Sequence, residues 1–235
     1  MRKAVKLLIG EMNNKLGGYA VLLQYRYMNL CVKAEPASLL SLEVIDSEGG
    51  YQDIENVAFV LQKNDYQFEV VPKEEEMLFP LCKAFMKSHP EFKQEVVGKI
   101  PTEDRLDREN DEEKHIIITM PEVDKNRRDV LMDSISSLYD ECSAQMDKAK
   151  GDYTVRLLSK MEGESTSDVD EAKNSLEDGY NQHKDIIKTY RENKEKEIEE
   201  AYQRWLAKQD EKNQLQQEQD EAVGKKAATS FSFDK

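Results

Sequence analysis

The chain has few residues of the kinds that form metal sites, disulfides and membrane spans. Of its 235 residues only three are cysteine, three are histidine and one is tryptophan, and apolar residues make up 38%. No run approaches the roughly 18–20 apolar residues that a membrane span needs. The apolar start at residues 5–9 is too short for a secretory signal, and Lys6 interrupts it. We therefore expect neither a membrane segment nor a leader.

Catalytic motifs are also lacking. There is no glycine-rich phosphate loop, no nucleophile elbow and no metal-ligand spacing, and the three histidines are isolated in sequence. The three cysteines are odd in number, far apart and at or near apolar positions, which favours free buried thiols and a reducing cytoplasm. The chain is therefore not expected to be an enzyme, and no cofactor or metal ion is predicted. An enzyme of unknown chemistry stays the remotest alternative.

Charge is abundant but unevenly distributed along the chain. The formal net charge is -14, yet residues 1–36 hold six Lys or Arg against two Asp or Glu. Residues 37–120 hold nine basic residues against nineteen acidic ones. Overall acidity disfavours general binding to phosphate backbones, which needs an excess of Lys and Arg. A basic first helix could still provide a local contact, and Tyr25 and Tyr27 beside Arg26 could stack on bases, although core packing accounts equally well for Tyr27.

The hydrophobic pattern breaks in the middle of the chain and then resumes. Helical spacing covers residues 5–30, short strand-like segments follow over residues 42–120, and heptad-like spacing returns over 131–157 and 169–205. This order predicts an α+β protein in which a small β/α/β module interrupts a three-helix bundle. Gly17-Gly18, inside the first helix, indicates either a bend or a closely packed neighbour, because helix-interior glycines are unfavourable.

The same pattern divides the chain into two lobes and a tail. Residues 1–36 and 121–208 are predicted to form the bundle, and residues 37–120 the inserted module. Pro36 and Pro121 stand at the two crossings and are predicted to act as hinges, with few contacts between the lobes. Residues 209–235 are polar and acidic, and we expect them to be frayed helix giving way to disorder.

Three stretches of sequence together resemble the ribosome recycling factor family. In the module, residues 38–44 carry a leucine pair that leads into a strand, residues 54–58 end in Val-Ala, and residues 68–72 end in proline. At the exit, an apolar strand is followed by Pro121 and then by Arg127-Arg128. Residues 167–171 open the third helix, and a Lys-Glu-Lys-Glu run at 194–197 lies near its end. The resemblance spans roughly residues 1–200 in the same order.

The resemblance implies both a shape and a function. The fold would be an L-shaped molecule with a three-helix bundle and a β/α/β module on two hinges. Members of the family enter the ribosome after termination, bind large-subunit ribosomal RNA through the bundle, and split the subunits with a translocase GTPase. They are not enzymes. The resemblance thus implies ribosomal RNA and the translocase GTPase as partners in the cytoplasm, without a membrane or DNA.

The sequence departs from the family in its second helix. The family carries an Arg-rich stretch there that contacts ribosomal RNA, whereas this chain has Asp147 and Gly151 at two of those positions and Lys150 at a third. Lysine keeps the charge but lacks the planar fork of arginine. By resemblance, Lys148, Lys150 and Arg156 are the candidate RNA-binding residues, and we expect their contact to be weak.

Two interpretations of the resemblance follow from these departures. The chain is either an ordinary recycling factor or a divergent paralogue with altered contacts to ribosomal RNA, and the changed helix favours the divergent one. A third hypothesis belongs to another class: an acidic scaffold that kept the fold and binds a protein partner through the hairpin of residues 131–205 or through the tail.

Overall fold

Three long helices and two small antiparallel sheets form the protein, here a computed structural model that describes residues 3–98 and 114–230, with side chains as far as residue 218. The helices are α1 Lys3–Met28, α2 Ile54–Val57, α3 Leu78–Ser88, α4 Lys125–Lys160 and α5 Thr166–Ser230. The strands are β1 Glu43–Ile45, β2 Tyr51–Asp53, β3 Ala58–Asn64, β4 Gln67–Pro72, β5 Lys93–Val97 and β6 His115–Thr119. Short 3-10 helices cover Pro36–Leu39 and Glu75–Met77.

Helices α1, α4 and α5 pack together as a bundle. The buried residues of α1 recur at steps of three and four, among them Leu8, Met12 and Leu16, so one face of the helix is apolar throughout. They join Met146 of α4 and Ile187 of α5 in a single hydrophobic cluster. The interrupted periodicity therefore reflects one core that is built from both ends of the chain.

The segment between α1 and α4 forms a second hydrophobic cluster around a sheet. The strand order is β3-β4-β6-β5 and every pairing is antiparallel, while β1 and β2 form a separate two-stranded sheet. Phe68 and Ile118 lie on the covered face of the larger sheet, in the same cluster as Leu81 and Phe85 of α3. The prediction of an α+β protein with a helical bundle and an inserted small module is confirmed.

Two strands and the length of the last helix differ from the expectation. Strands β2 and β5 were not predicted, because their residues are mostly exposed and show no clear alternation. Helix α5 extends beyond residue 208 to Ser230, and residues 231–235 of the expected tail lie outside the described residues. Glutamine, glutamate, lysine and alanine favour helix, and a helix that is already nucleated gains further turns without a new nucleation cost. At 1.5 Å per residue, α5 is roughly 100 Å long.

Candidate functional site

The three candidate RNA-binding residues lie on α4 but point in different directions. Successive residues of a helix are about 100° apart, so Lys148 and Lys150 are separated by roughly 200° and face nearly opposite ways. Lys148 is exposed. Lys150 faces α5, with its Nζ 2.7 Å from the carboxylate of Glu177 and 4.2 Å from the centre of the Tyr180 ring.

Arg156 faces α1, the other helix that packs against α4. Its Nη2 donates to Glu11 of α1 at 3.1 Å, and its guanidinium lies 4.7 Å from the centre of the Tyr153 ring. The structure therefore brings Lys148, Lys150 and Arg156 onto one stretch of helix but not onto one face. Within the described part of the chain, Lys148 is the member of the three for which no ion pair is found.

Asp147 lies in the contact between α4 and α5. By resemblance, it stands where the family has a basic residue. The hydroxyl of Tyr180 donates to Oδ1 of Asp147, and Nζ of Lys184 lies 3.1 Å from the same oxygen. Lys184 also donates to the hydroxyl of Ser143. The hydrogen bond from Tyr180 is the main reason why the pKa of Asp147 is lowered from its ordinary value. Asp147 thus pairs with α5.

The contacts of Asp147 predict an acid-sensitive contribution to stability. Because its pKa is lowered in the folded state, the carboxylate stabilises the fold above its unfolded pKa of about 3.8. That contribution is lost as the pH falls through the lower folded value. We expect Asp147→Asn to lower stability at neutral pH by less than about 1 kcal/mol, because exposed ion pairs are weak.

Thermal unfolding at pH 7 and near pH 3 checks this prediction. The variant and the wild type should differ at pH 7, and the difference should become smaller at the acidic pH. A matched control is Asp185→Asn, which makes the same change on the neighbouring helix α5. An equal difference at both pH values would show that the charge of Asp147 is not involved.

The aromatic residues at the end of α1 are divided between the core and the surface. Tyr27 is buried and its hydroxyl donates to the carbonyl of Ile135 at 3.1 Å, and burial raises its pKa. Arg26 donates to Glu141 of α4 at 2.8 Å. Only Tyr25 of the pair of tyrosines keeps an exposed ring, at 42%. Base stacking by Tyr27 is therefore excluded by its packing.

Both crossings between bundle and module are bonded to the same turn. The N–H of Ala34, just before Pro36, donates to the carbonyl of Asp65 at 2.9 Å. The N–H of Met120, just before Pro121, donates to the carbonyl of Tyr66 at 2.8 Å. Residues 65–66 join β3 to β4, so this turn holds the entry and the exit together next to both prolines.

Side chains of the bundle also reach this junction. Lys208 of α5 lies 2.5 Å from the carboxylate of Glu122 and 5.0 Å from the centre of the Tyr66 ring. Nη2 of Arg127 donates to the carbonyl of Cys31 at 3.1 Å, where the backbone is in the left-handed region with φ 43°. The junction thus has more specific contacts than the sequence suggested, and Lys208 links α5 to both the exit segment and the module.

The contacts of Lys208 predict a restraint on the movement of the two lobes. We expect Lys208→Ala to broaden the distribution of distances between a label on α4 and a label on β5. The loss of one exposed ion pair, which contributes up to about 1 kcal/mol, changes the ratio of the populations of the lobe orientations by up to about fivefold. Single-molecule energy transfer measures this, with Lys196→Ala as the control because Lys196 pairs within α5. An unchanged distribution would mean that Lys208 does not restrain the lobes.

A cleft of about 730 Å³ opens where the bundle meets the module. Asn29, His89, Glu91 and Arg127 are among its lining residues. The Nε of Arg127 is buried and, within the described residues, has no hydrogen-bond partner, and burial lowers the pKa of this arginine. Neither in this cleft nor anywhere else in the described residues are three His, Cys, Asp or Glu side chains grouped so as to hold a metal ion. Among the helices that the structure describes, none has the length and apolar character needed to cross a bilayer.

Comparison with known proteins decides the family. The family model described as "Ribosome recycling factor" matches residues 27–199, which is most of the chain. This protein belongs to the ribosome recycling factor family. Its function is therefore related to translation, and the family is not enzymatic. No curated protein matches the chain.

Two solved structures of recycling factors have a similar fold. A solution structure of a ribosome recycling factor is 16% identical with a TM-score of 0.64, and the match covers 85% of this chain and all of that one. A second match is 18% identical with a TM-score of 0.52 and covers 83% and 98% of the two chains. It is described as models for the T. thermophilus ribosome recycling factor and the E. coli elongation factor G bound to the E. coli post-termination complex. At these identities the matches show the fold alone.

Proposed function

We propose that this protein binds the ribosome after termination and acts there with a translocase GTPase, as a divergent recycling factor with altered contacts to ribosomal RNA. Its membership of the recycling factor family supports this function most strongly. The T. thermophilus factor with a similar fold is described on a post-termination complex together with elongation factor G. The cytoplasm is the compartment that this role requires.

The proposed movement involves two bodies. Residues 1–36 with 121–208 form one body, residues 37–120 form the other, and the joints near Pro36 and Pro121 set the angle between them. Ala34 and Met120 are both bonded to the turn at residues 65–66. We therefore place the bend beside these two bonds, near Pro36 at the entry and Pro121 at the exit.

The proposed contact with ribosomal RNA uses Lys148, Lys150 and Arg156. Lys150 and Arg156 are already paired with Glu177 and Glu11, but these pairs are partly exposed. Exposed ion pairs contribute about 0–1 kcal/mol, so a phosphate group can replace a carboxylate at little cost. Because the three side chains point in different directions, they would contact separate phosphates instead of chelating one. This arrangement supports weak binding, with contacts unlike those of an Arg-rich stretch.

The salt dependence of ribosome binding tests this contact. Each phosphate that a cation neutralises releases counterions, so three contacts predict a slope of about -2 to -3 for the logarithm of the binding constant against that of the salt concentration. A fluorescence titration of labelled protein with purified ribosomes measures the slope. A slope near zero would contradict the proposed RNA contact.

A second candidate function is a protein-binding scaffold. The observation that favours it is the pairing of Asp147 with Tyr180 and Lys184, because this stretch of α4 already contacts α5. On this alternative, the hairpin of α4 and α5 or the helical extension beyond residue 208 binds a protein partner. Tight ribosome binding with a steep salt slope would exclude the scaffold function. If the protein does not bind ribosomes, the scaffold function is favoured.

A further inference from the structure

Helix α1 carries a second apolar stripe, on the side that faces solvent. Leu7, Val21, Leu22 and Tyr25 are exposed by 60%, 64%, 42% and 42% of their surface. Leu7, Val21 and Tyr25 lie on the face of the helix opposite to the buried Met12 and Leu16, and Leu22 lies at the edge of that face. Gly10, the exposed Asn14 and Gly18 separate Leu7 from Val21 on the same face. A helix that borders a single core needs only one apolar stripe. The second stripe is therefore not explained by the fold.

Glycines on the same face leave its backbone open. A Cβ built at Gly10 or at Gly18 would have no atom within 4 Å among the described residues. Glycine inside a helix is less favourable than alanine, so each of these positions lowers the stability of α1 without any benefit from packing inside the chain. Glycine is used where another backbone or ligand approaches closely. These positions fit a partner that lies directly against the helix.

The charge around the stripe defines the chemistry of that partner. Lys3, Lys6 and Lys15 are exposed, and the described part of the chain shows no ion pair for any of them. The helix has a single carboxylate, that of Glu11, which is paired with Arg156 of α4. A basic helix in a chain of net charge -14 complements an acidic partner. The exposed aliphatic side chains favour a protein over RNA, which is bound mainly through many cations and stacking rings.

We propose that the solvent face of α1, comprising Leu7, Gly10, Gly18, Val21 and Tyr25, is a docking surface for an acidic amphipathic helix of a partner protein. The partner would lie along α1 as a fourth helix. Its apolar residues would cover the second stripe, and its carboxylates would pair with Lys3, Lys6 and Lys15. Close approach of the two backbones takes place at Gly10 and Gly18. This proposal does not depend on the proposed ribosome contact, which lies on α4.

Two synthetic peptides of about three heptads test the proposal. One has leucine at the a and d positions and glutamate at the exposed positions, and the other has lysine in place of every glutamate. The net charge of -14 would draw the lysine peptide to the protein nonspecifically. We expect instead that the glutamate peptide binds the full chain about tenfold more tightly, which corresponds to about 1.4 kcal/mol. Isothermal titration calorimetry measures both affinities.

Three variants and one control locate the binding site. Val21→Glu should weaken binding of the glutamate peptide by about tenfold or more, and Lys15→Glu by about fivefold. Gly18→Ala should raise the melting temperature of the protein because alanine favours helix, and yet weaken peptide binding. The control is Val155→Glu on α4, a valine that is 69% exposed, and it should change nothing.

Three results would overturn the proposal. The first is that neither peptide binds, or that the lysine peptide binds as tightly as the glutamate peptide. The second is that Val155→Glu weakens binding as much as Val21→Glu does. The third is that an RNA oligonucleotide, and not the glutamate peptide, binds the wild type and is released by Val21→Glu, because this face would then be an RNA-binding surface.

Discussion

Replacing Leu16 by alanine is expected to lower the free energy of unfolding of the bundle by about 2–5 kcal/mol. The side chain is fully buried, with 0% exposure, in the cluster that joins α1 to α4 and α5. Its removal leaves a cavity between helices that lie far apart in sequence. The exposed Val21 offers a matched control, because Val21→Ala removes apolar atoms from the solvent side of the same helix.

Urea unfolding followed by the fluorescence of Trp205, the single tryptophan, measures this effect on α5. The control should shift the free energy by no more than about 0.5 kcal/mol. Equal small effects for Leu16→Ala and Val21→Ala would mean that α1 does not contribute to the core of the bundle. The interrupted order of the chain would then need another explanation.

Replacing Lys148, Lys150 and Arg156 together by alanine is expected to lower ribosome affinity by about 100-fold. Each charge-assisted contact contributes about 1 kcal/mol, and three contacts correspond to about 3 kcal/mol or roughly two orders of magnitude. The matched control replaces Lys188 and Lys196 of α5, whose side chains are 65% and 77% exposed. Binding curves with purified ribosomes measure both variants.

The control is expected to retain the affinity of the wild type. If the triple variant also retains it, the proposed face of α4 does not contact ribosomal RNA. If both variants lose affinity equally, the interaction depends on net charge and not on a site. Circular dichroism on each variant separates a loss of binding from a loss of helix.

Much of the fold follows from local periodicity. The steps of three and four in α1, α4 and α5 show which faces are buried, and the break between them locates the module. Strands β2 and β5 could not be inferred in this way. Strand β2, with sequence Tyr-Gln-Asp, has no buried residue. It forms a strand only because β1 pairs with it across a turn. That pairing is not encoded in the spacing of apolar residues.

The site was less predictable than the fold, because it depends on register. The angular separation of Lys148 and Lys150 follows from helix geometry alone. The partners of Asp147 do not, since Tyr180 is thirty-three residues further along the chain. Each step along α4 from Ser143 to Asp147 to Lys150 is matched by an opposite step along α5 from Lys184 to Tyr180 to Glu177. This antiparallel register is set by the length of the connecting turn and by packing, neither of which a local pattern contains.

The contacts at the junction between bundle and module also could not be predicted from local sequence patterns. Pro36 and Pro121 mark the crossings in the sequence, but the bonds that join both crossings to residues 65–66 depend on how the module folds. Lys208 lies just past residue 199, where the match to the family model ends, and it nevertheless contacts Glu122 and Tyr66. A residue outside the matched region therefore contributes to the interface between the lobes.

Co-sedimentation with post-termination ribosomes, with and without the translocase GTPase and GTP, tests the central claim most directly. We expect the full chain to pellet with the ribosomes when the translocase is absent. When the translocase and GTP are added, we expect free subunits to appear and the chain to leave the ribosome fraction. If the chain stays in the supernatant under both conditions, and the subunits remain joined, the proposed role in recycling is wrong.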